Sequence, residues 1–136
     1  MSNDWIWARS AIPPKCKLTK WQKESRVAEA EEFVRTFYRA EFLPPPPPNP
    51  QFNYIVDFSV CWHGSYLRFI SKYACPGPNA FAPFFEVPFA RLGYFNSDRY
   101  NLWARRHNDQ WMVLAEDLTL REAFAEMRTN PWFRFD

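Results

Sequence analysis

Five consecutive prolines at positions 44–48 divide this 136-residue chain into two parts with different hydrophobic patterns. Proline has no backbone N–H and fixes φ at about −65°, so the run excludes an α-helix and favours an extended polyproline II conformation. With Asn49 and Pro50 it predicts a stiff connector over residues 44–50. Such runs also bind SH3 and WW domains. Because this one lies between two patterned segments and not in a tail, the connector is the favoured interpretation.

The segment before the prolines has the pattern of a helix. Residues 19–42 contain neither glycine nor proline, and their apolar residues recur at steps of three and four. Acidic residues lie toward the start and arginines toward the end, as the helix dipole favours. Thr19 and Ser25 are both candidate N-caps. The apolar positions are Trp21, Val27, Ala30, Phe33, Val34, Phe37, Tyr38 and Phe42.

After the prolines the period changes to two, which is typical of half-buried β-strands. Short polar turns separate the strands and favour antiparallel hairpins. Outward residues alternate with inward ones, so the apolar strand positions are expected to pack on the helix. The expected contacts place Val27, Phe33, Val34 and Phe37 against Tyr54, Val56 and Phe58. The predicted strands are 52–62, 66–74, 89–95, 99–106 and 110–115.

A short second helix is predicted at the C-terminal end. Thr119 and Glu122 have the spacing of a capping box, and Asn130-Pro131 ends the helical pattern. The fold class is therefore α+β: an N-terminal helix packed on a five-stranded antiparallel meander sheet, with a short C-terminal helix. The length predicts a single domain over residues 1–136, with residues 1–18 as an N-terminal arm.

Composition and charge restrict the possible functions. The formal net charge is only +2, too small for bulk attraction to nucleic acid or membranes. Glycine occurs three times, which argues against a glycine-rich phosphate loop. Residues 1–20 lack the pattern of a secretory signal, and an odd number of cysteines favours reduced thiols. The predicted location is the cytoplasm. Aromatic residues are abundant at 20%, and they indicate an aromatic-rich core.

Several short motifs in the strand region resemble a family of small bacterial proteins known as a domain of unknown function. The resemblance covers roughly residues 53–133 and implies a bacterial, single-domain protein. That family has no settled activity, so the resemblance assigns no catalytic residue, cofactor or partner. The motifs are Ser71-Lys72-Tyr73, Cys75-Pro76-Gly77-Pro78-Asn79-Ala80, Phe85-Glu86, Phe89-Ala90-Arg91-Leu92, Tyr94, Asn101-Leu102, Arg106-His107, Gln110-Trp111, Leu118-Thr119-Leu120 and Pro131-Trp132-Phe133.

A basic and aromatic sheet face is the first candidate binding site. Between residues 65 and 106 six lysines and arginines face two acidic residues, a local charge of +4. A face that mixes arginine with an outward tryptophan can stack bases and contact phosphates, although a solvated face has the same pattern. The predicted outward residues are Arg68, Lys72, Arg99, Trp103 and Arg105.

Cysteine and histidine offer a second, weaker candidate site. Cys61 and His63 share one strand face, but Cys75 and His107 lack the close spacing of a zinc site. A Cys–His nucleophile using Cys75, with Asp57 to orient the base, has no supporting motif. The sequence therefore predicts no metal and no cofactor and favours binding over catalysis.

Tryptophans near the N-terminus suggest what is bound. Trp5, Trp7 and Trp21 lie among lysines and arginines, a combination typical of protein interfaces, although an arm folded over the domain also explains it. The first expectation is a non-enzymatic domain that contacts a protein partner or its own copy. The alternatives are a nucleic-acid-binding module that uses the basic face and an uncharacterised enzyme with a Cys/His site.

Overall fold

The structure, a computed structural model, describes residues 12–136. Its helical part begins with one long, nearly continuous helix and ends with a short one. Two single 3₁₀ turns follow the third strand and the last helix. The elements are α1 (Lys20–Phe33), a π-helical segment (Val34–Arg39), α2 (Ala40–Phe42), α3 (Leu120–Thr129) and the 3₁₀ turns Asn96–Asp98 and Pro131–Phe133.

Five strands form one antiparallel sheet in the order of the chain, which confirms the predicted α+β meander. Strand β1 is one edge of the sheet and β5 the other. In the sequence between residues 12 and 136, no helix is long and apolar enough to cross a membrane. The strands are β1 (Tyr54–His63), β2 (Tyr66–Ala74), β3 (Phe84–Phe95), β4 (Arg99–Arg105) and β5 (Trp111–Leu118).

Both main helices begin with a capping box. The Thr119 hydroxyl accepts from the Glu122 N–H, and the Glu122 carboxylate accepts from the Thr119 N–H, as predicted. At α1 the cap is Thr19, with Gln22 as the reciprocal partner. The π-helical segment interrupts the regular period and buries the consecutive residues Phe37 and Tyr38.

The front face of the sheet carries the long helix and a continuous aromatic cluster, which we call the aromatic core. Phe33 stacks on Phe124 with ring centroids 4.4 Å apart and also contacts Phe69. Tyr38 lies 5.3 Å from Phe58, and its buried hydroxyl donates to the Phe133 carbonyl at 2.8 Å. The aromatic core consists of Phe33, Phe37, Tyr38, Phe42, Phe58, Phe69, Phe89, Phe124 and Phe135.

The helix docks on the sheet as expected, but its partners differ. Phe33 was expected on β1, and it reaches β2 and α3 instead. At the β1 edge, Arg39 holds the helix by donating to Asp57 at 2.8 Å and to the Phe58 carbonyl at 2.6 Å. The guanidinium of Arg39 thus holds the helix at this edge together with the apolar contact between Tyr38 and Phe58.

Three strand boundaries differ from the prediction by more than one residue. Strand β1 begins at Tyr54, which leaves Phe52 outside the sheet. Strand β3 begins at Phe84, five residues early, because Pro88 is accommodated beside an irregularity in the β2–β3 register. Strand β5 continues to Leu118 through two acidic residues.

The connector and part of the arm are also described. Residues 44–50 form no regular helix or strand and lie between α2 and β1. Residues 13 and 14 of the arm lie against the sheet: the Ser65 hydroxyl donates to the Pro14 carbonyl at 2.6 Å, and Pro13 approaches Gly93. Trp5 and Trp7 lie outside the described residues.

Candidate functional site

The back face of the sheet, opposite the long helix, carries the predicted basic residues. Register places Arg68 of β2 beside Arg91 of β3, and Arg91 beside Trp103 of β4. Residues two apart share a face, so Lys72 lies on the side of Arg68, and Arg105 on the side of Trp103. Arg68, Lys72, Trp103 and Arg105 therefore share the back face, whereas the guanidinium of Arg99, at the start of β4, reaches Glu122 of α3.

Trp103 does not have the exposure that was predicted. It is only 6% exposed, so the expected stacking surface is absent and that part of the prediction is wrong. Its ring packs edge-on against Tyr66 with centroids 5.4 Å apart. Gly93 makes room for the ring, because a Cβ there would lie 2.6 Å from the Trp103 Cζ3 atom. Because Gly93 has no side chain, the Trp103 ring is buried even though it lies on the outward face of the strand.

Arg91, which the sequence did not single out, is the centre of this face. Its guanidinium carbon lies 4.1 Å from the Tyr66 ring, 4.5 Å from Trp111 and 5.1 Å from Trp103. Burial lowers the pKa of Arg91, and the nearby Arg68 charge lowers it further. Three aromatic faces thus surround one arginine, an arrangement that stabilises the back of the sheet.

The remaining predicted basic residues are largely engaged. Arg105 pairs with Asp109 at 2.9 Å, and Arg99 lies 3.5 Å from Asp117 and 3.6 Å from Glu122. The Lys72 amine lies 4.7 Å from the Phe84 ring. Carboxylates and aromatic rings of the same chain therefore already contact the basic side chains that would bind the phosphates of a nucleic acid.

The cysteine and histidine candidates are far apart. Cys61 and His63 lie at the end of β1, next to the turn into β2, whereas Cys75 follows the other end of β2. Cys61 pairs with Arg68, so seven residues, or about 23 Å of strand, separate it from Cys75. His107 lies beyond β4, and Asp57 is bonded to Arg39. Neither the zinc set nor the Cys–His–Asp set is brought together.

A different surface stands out at the end of the sheet where β1 and β3 begin. Within residues 12–136, seven large hydrophobic side chains are exposed, and four of them belong to this end. Phe52 is 81% exposed and Phe81 is fully exposed, while Phe84 and Phe85 are partly exposed. We call these four phenylalanines the aromatic end.

Three phenylalanines of the aromatic end, Phe81, Phe84 and Phe85, line a cavity of about 440 Å³. Its walls come from the loop between β2 and β3 and from the segment just before β1, and none of the lining residues is charged. The half-buried Cys75 lies in this wall. The lining residues are Gln51, Asn53, Cys75, Gly77, Pro78, Asn79, Ala80, Phe81, Ala82, Phe84 and Phe85.

Local hydrogen bonds and stacking hold this loop in place. The Cys75 N–H donates to the Pro83 carbonyl at 2.8 Å, and the Ala80 N–H donates to the Gly77 carbonyl at 3.1 Å. On the front face Phe85 stacks on Tyr73 with ring centroids 5.0 Å apart. The loop is therefore anchored at its base while the Phe81 side chain projects into solvent.

A second apolar groove of about 590 Å³ lies between α1 and β1. Trp62 lies in it, and the indole N–H donates to the Lys23 carbonyl at 3.0 Å. Lysine and glutamate side chains of α1 also line it, including Lys20 and Glu31. Both basic and acidic side chains thus line the groove, whereas the cavity at the aromatic end has no charged lining residue.

Comparison with known proteins identifies the family without assigning an activity. A family model described as a domain of unknown function, DUF3024, matches residues 18–135. The chain belongs to this family. The match includes both main helices, all five strands and the aromatic end, so the DUF3024 unit is the fold described above. No curated protein and no solved structure matches the chain.

Proposed function

We propose that this DUF3024 protein is a non-enzymatic binding domain that contacts a protein partner through its aromatic end. The observation that carries the proposal is the grouping of four exposed phenylalanines at one end of the sheet, three of which line a single uncharged cavity. Exposed single hydrophobic residues are ordinary on protein surfaces, but clustered ones mark interaction sites. We place the partner in the bacterial cytoplasm, since the three cysteines are unpaired thiols.

The lining of the cavity indicates the chemistry of the partner. The wall of phenylalanine, proline and amide side chains is uncharged and offers no opposite charge that would stabilise a charged ligand. It matches an uncharged apolar segment of a protein, whose side chains would enter the cavity while Gln51 and Asn53 meet its backbone. The occupant we propose is such a segment of a different protein, with self-association as an outcome to be distinguished.

The basic back face has weaker support as a binding site. Trp103 is buried there, and Arg99 and Arg105 already lie beside carboxylates. A nucleic acid would have to compete with these contacts and would find no exposed ring on Trp103 for base stacking. The nucleic-acid alternative therefore stands second.

The proposal is tested by selecting peptides from a random display library on the immobilised chain and titrating the enriched sequences. We expect uncharged, apolar peptides whose affinity falls about tenfold or more for Phe81→Ser/Phe84→Ser, a loss of about 1.4 kcal/mol or more. Trp21→Ser is the matched control, since Trp21 is also an exposed aromatic but lies near the start of α1.

Three results would contradict the proposal. The first is an enriched peptide that binds the double variant as tightly as the parent chain. The second is enrichment of acidic peptides, or binding of labelled single-stranded RNA, that weakens steeply with salt and is lost in Arg68→Gln. The third is concentration-dependent dimerisation in sedimentation velocity that Phe81→Ser/Phe84→Ser abolishes, which would make the chain's own copy the occupant.

A further inference from the structure

A second cavity, of about 680 Å³, lies at the opposite end of β3 from the aromatic end. It is bounded by α1, by the turn Asn96–Asp98 and by the start of α3. Three arginines line it, one from each side: Arg26 from α1, Arg99 from the start of β4 and Arg121 from α3. Two carboxylates, Glu29 and Asp98, line it as well. We call it the arginine cavity.

Two of these arginines already interact with acidic residues. Asp98 accepts from the Arg26 guanidinium at 2.7 and 2.9 Å, and Arg99 lies between Asp117 and Glu122. Asp98 takes up this position from a left-handed backbone conformation, with φ of 56°. In the described part of the chain, Arg121 has no carboxylate within ion-pair distance. It is the cation of the cavity that is available to a ligand.

A buried hydroxyl at the cavity is also without a partner. Tyr100 lines the cavity and is only 1% exposed, and its hydroxyl makes no hydrogen bond within residues 12–136. Burial raises the pKa of this phenol and the neighbouring Asp98 charge raises it further; the nearby Arg26 guanidinium lowers it without reversing the shift, so the group stays a protonated donor. An unpaired buried hydroxyl is costly, and its presence beside Arg26 and Asp98 indicates a missing acceptor.

The start of α3 adds backbone donors. Thr119, Leu120 and Arg121 all line the cavity. The capping box satisfies the N–H groups of Thr119 and Glu122, which leaves those of Leu120 and Arg121 as free donors at the positive end of a ten-residue helix. Such a terminus attracts anions through both its N–H groups and its dipole.

We infer that the arginine cavity binds a phosphate-type oxyanion. Arg121 and the α3 amides would contact the oxygens directly, and Arg26 would turn from Asp98 toward the ligand, uncovering the Tyr100 hydroxyl as a further donor. A phosphate is favoured over a carboxylate because its additional oxygens can accept from several donors at once. This site is separate from the aromatic end and does not depend on the proposed protein partner.

The test is a titration of the full chain with inorganic phosphate at constant ionic strength, followed by the amide NMR signals. We expect saturable shifts of Leu120, Arg121 and Tyr100, and binding of acetate at least about tenfold weaker. Arg121→Gln should weaken phosphate about tenfold and Tyr100→Phe about fivefold. Arg106→Gln, a change of an exposed arginine in the turn after β4, is the control and should leave the affinity unchanged.

Any of the following results would overturn the inference. Shifts that are absent, that do not saturate or that are equally strong with acetate would exclude a phosphate site. Equal affinity in Arg121→Gln and the parent chain would exclude this cavity as its location. In the absence of phosphate, Tyr100→Phe should leave the unfolding midpoint unchanged or higher, because it removes an unpaired hydroxyl. A large fall in the midpoint would show that the hydroxyl is already satisfied.

Discussion

The aromatic core and the aromatic end use the same residue type in opposite ways. Phe33 of the core is buried and stacks on Phe124, whereas Phe81 at the end is fully exposed. Core phenylalanines lie on helix and strand positions that face each other across the front of the sheet. Of the aromatic end, Phe52 and Phe81 lie outside the helices and strands and are the most exposed, while Phe84 and Phe85 begin β3 and are partly exposed. The aromatic core therefore stabilises the fold, whereas the aromatic end is available to a partner.

The largest expected effect is on the core side of the comparison. Phe33→Ala removes a ring that packs on Phe69, Phe124 and Tyr38, and it should lower the free energy of unfolding by about 3–5 kcal/mol. Urea unfolding followed by circular dichroism measures this loss. An unchanged unfolding midpoint would mean that α1 does not dock on the sheet through Phe33.

An intermediate effect is expected at the back of the sheet, where Trp103 behaves as a core residue in spite of its outward register. Gly93→Ala places a Cβ 2.6 Å from the Trp103 ring and should cost about 1–3 kcal/mol of stability through overpacking. Gly77→Ala is the matched control, because a Cβ at Gly77 meets no atom within 4 Å. Equal stability of the two variants would contradict the burial of Trp103 against Gly93.

The smallest stability effect is expected at the aromatic end. Phe81→Ala removes a fully exposed side chain, so the free energy of unfolding should change by no more than about 0.5 kcal/mol. The same urea experiment that detects Phe33→Ala provides the comparison. If Phe81→Ala destabilised the chain as strongly as Phe33→Ala, the aromatic end would be part of the core and no longer available to a partner.

The fold could be predicted from sequence wherever local chemistry sets the structure. Strand β2 has the predicted bounds, because its alternation is regular and a glycine turn precedes it. The α3 cap was predicted because Thr119 and Glu122 have the spacing that the capping box requires. The early start of β3 was missed because Pro88 argues against a strand unless an irregular register accommodates it.

The candidate site was harder to predict because exposure depends on which elements cover which face. Alternation placed Arg68 and Trp103 on the correct face, but it could not show that Tyr66, Arg91 and the Gly93 gap bury the indole. The sequence alone does not distinguish an exposed phenylalanine from one that is buried in the core. The only sequence signal for the aromatic end was the persistence of phenylalanine between β2 and residue 89, where the third strand was predicted to begin, at Phe81, Phe84 and Phe85.

Whether a protein partner covers the aromatic end can be measured by thiol labelling of the chain with and without a selected peptide. Cys75 lies in the cavity wall, and Cys61 is exposed about 23 Å away along the hairpin, so one molecule carries both probe and control. We predict that saturating peptide slows labelling of Cys75 at least about tenfold and leaves Cys61 unchanged. Equal labelling of Cys75 with and without bound peptide would contradict the account.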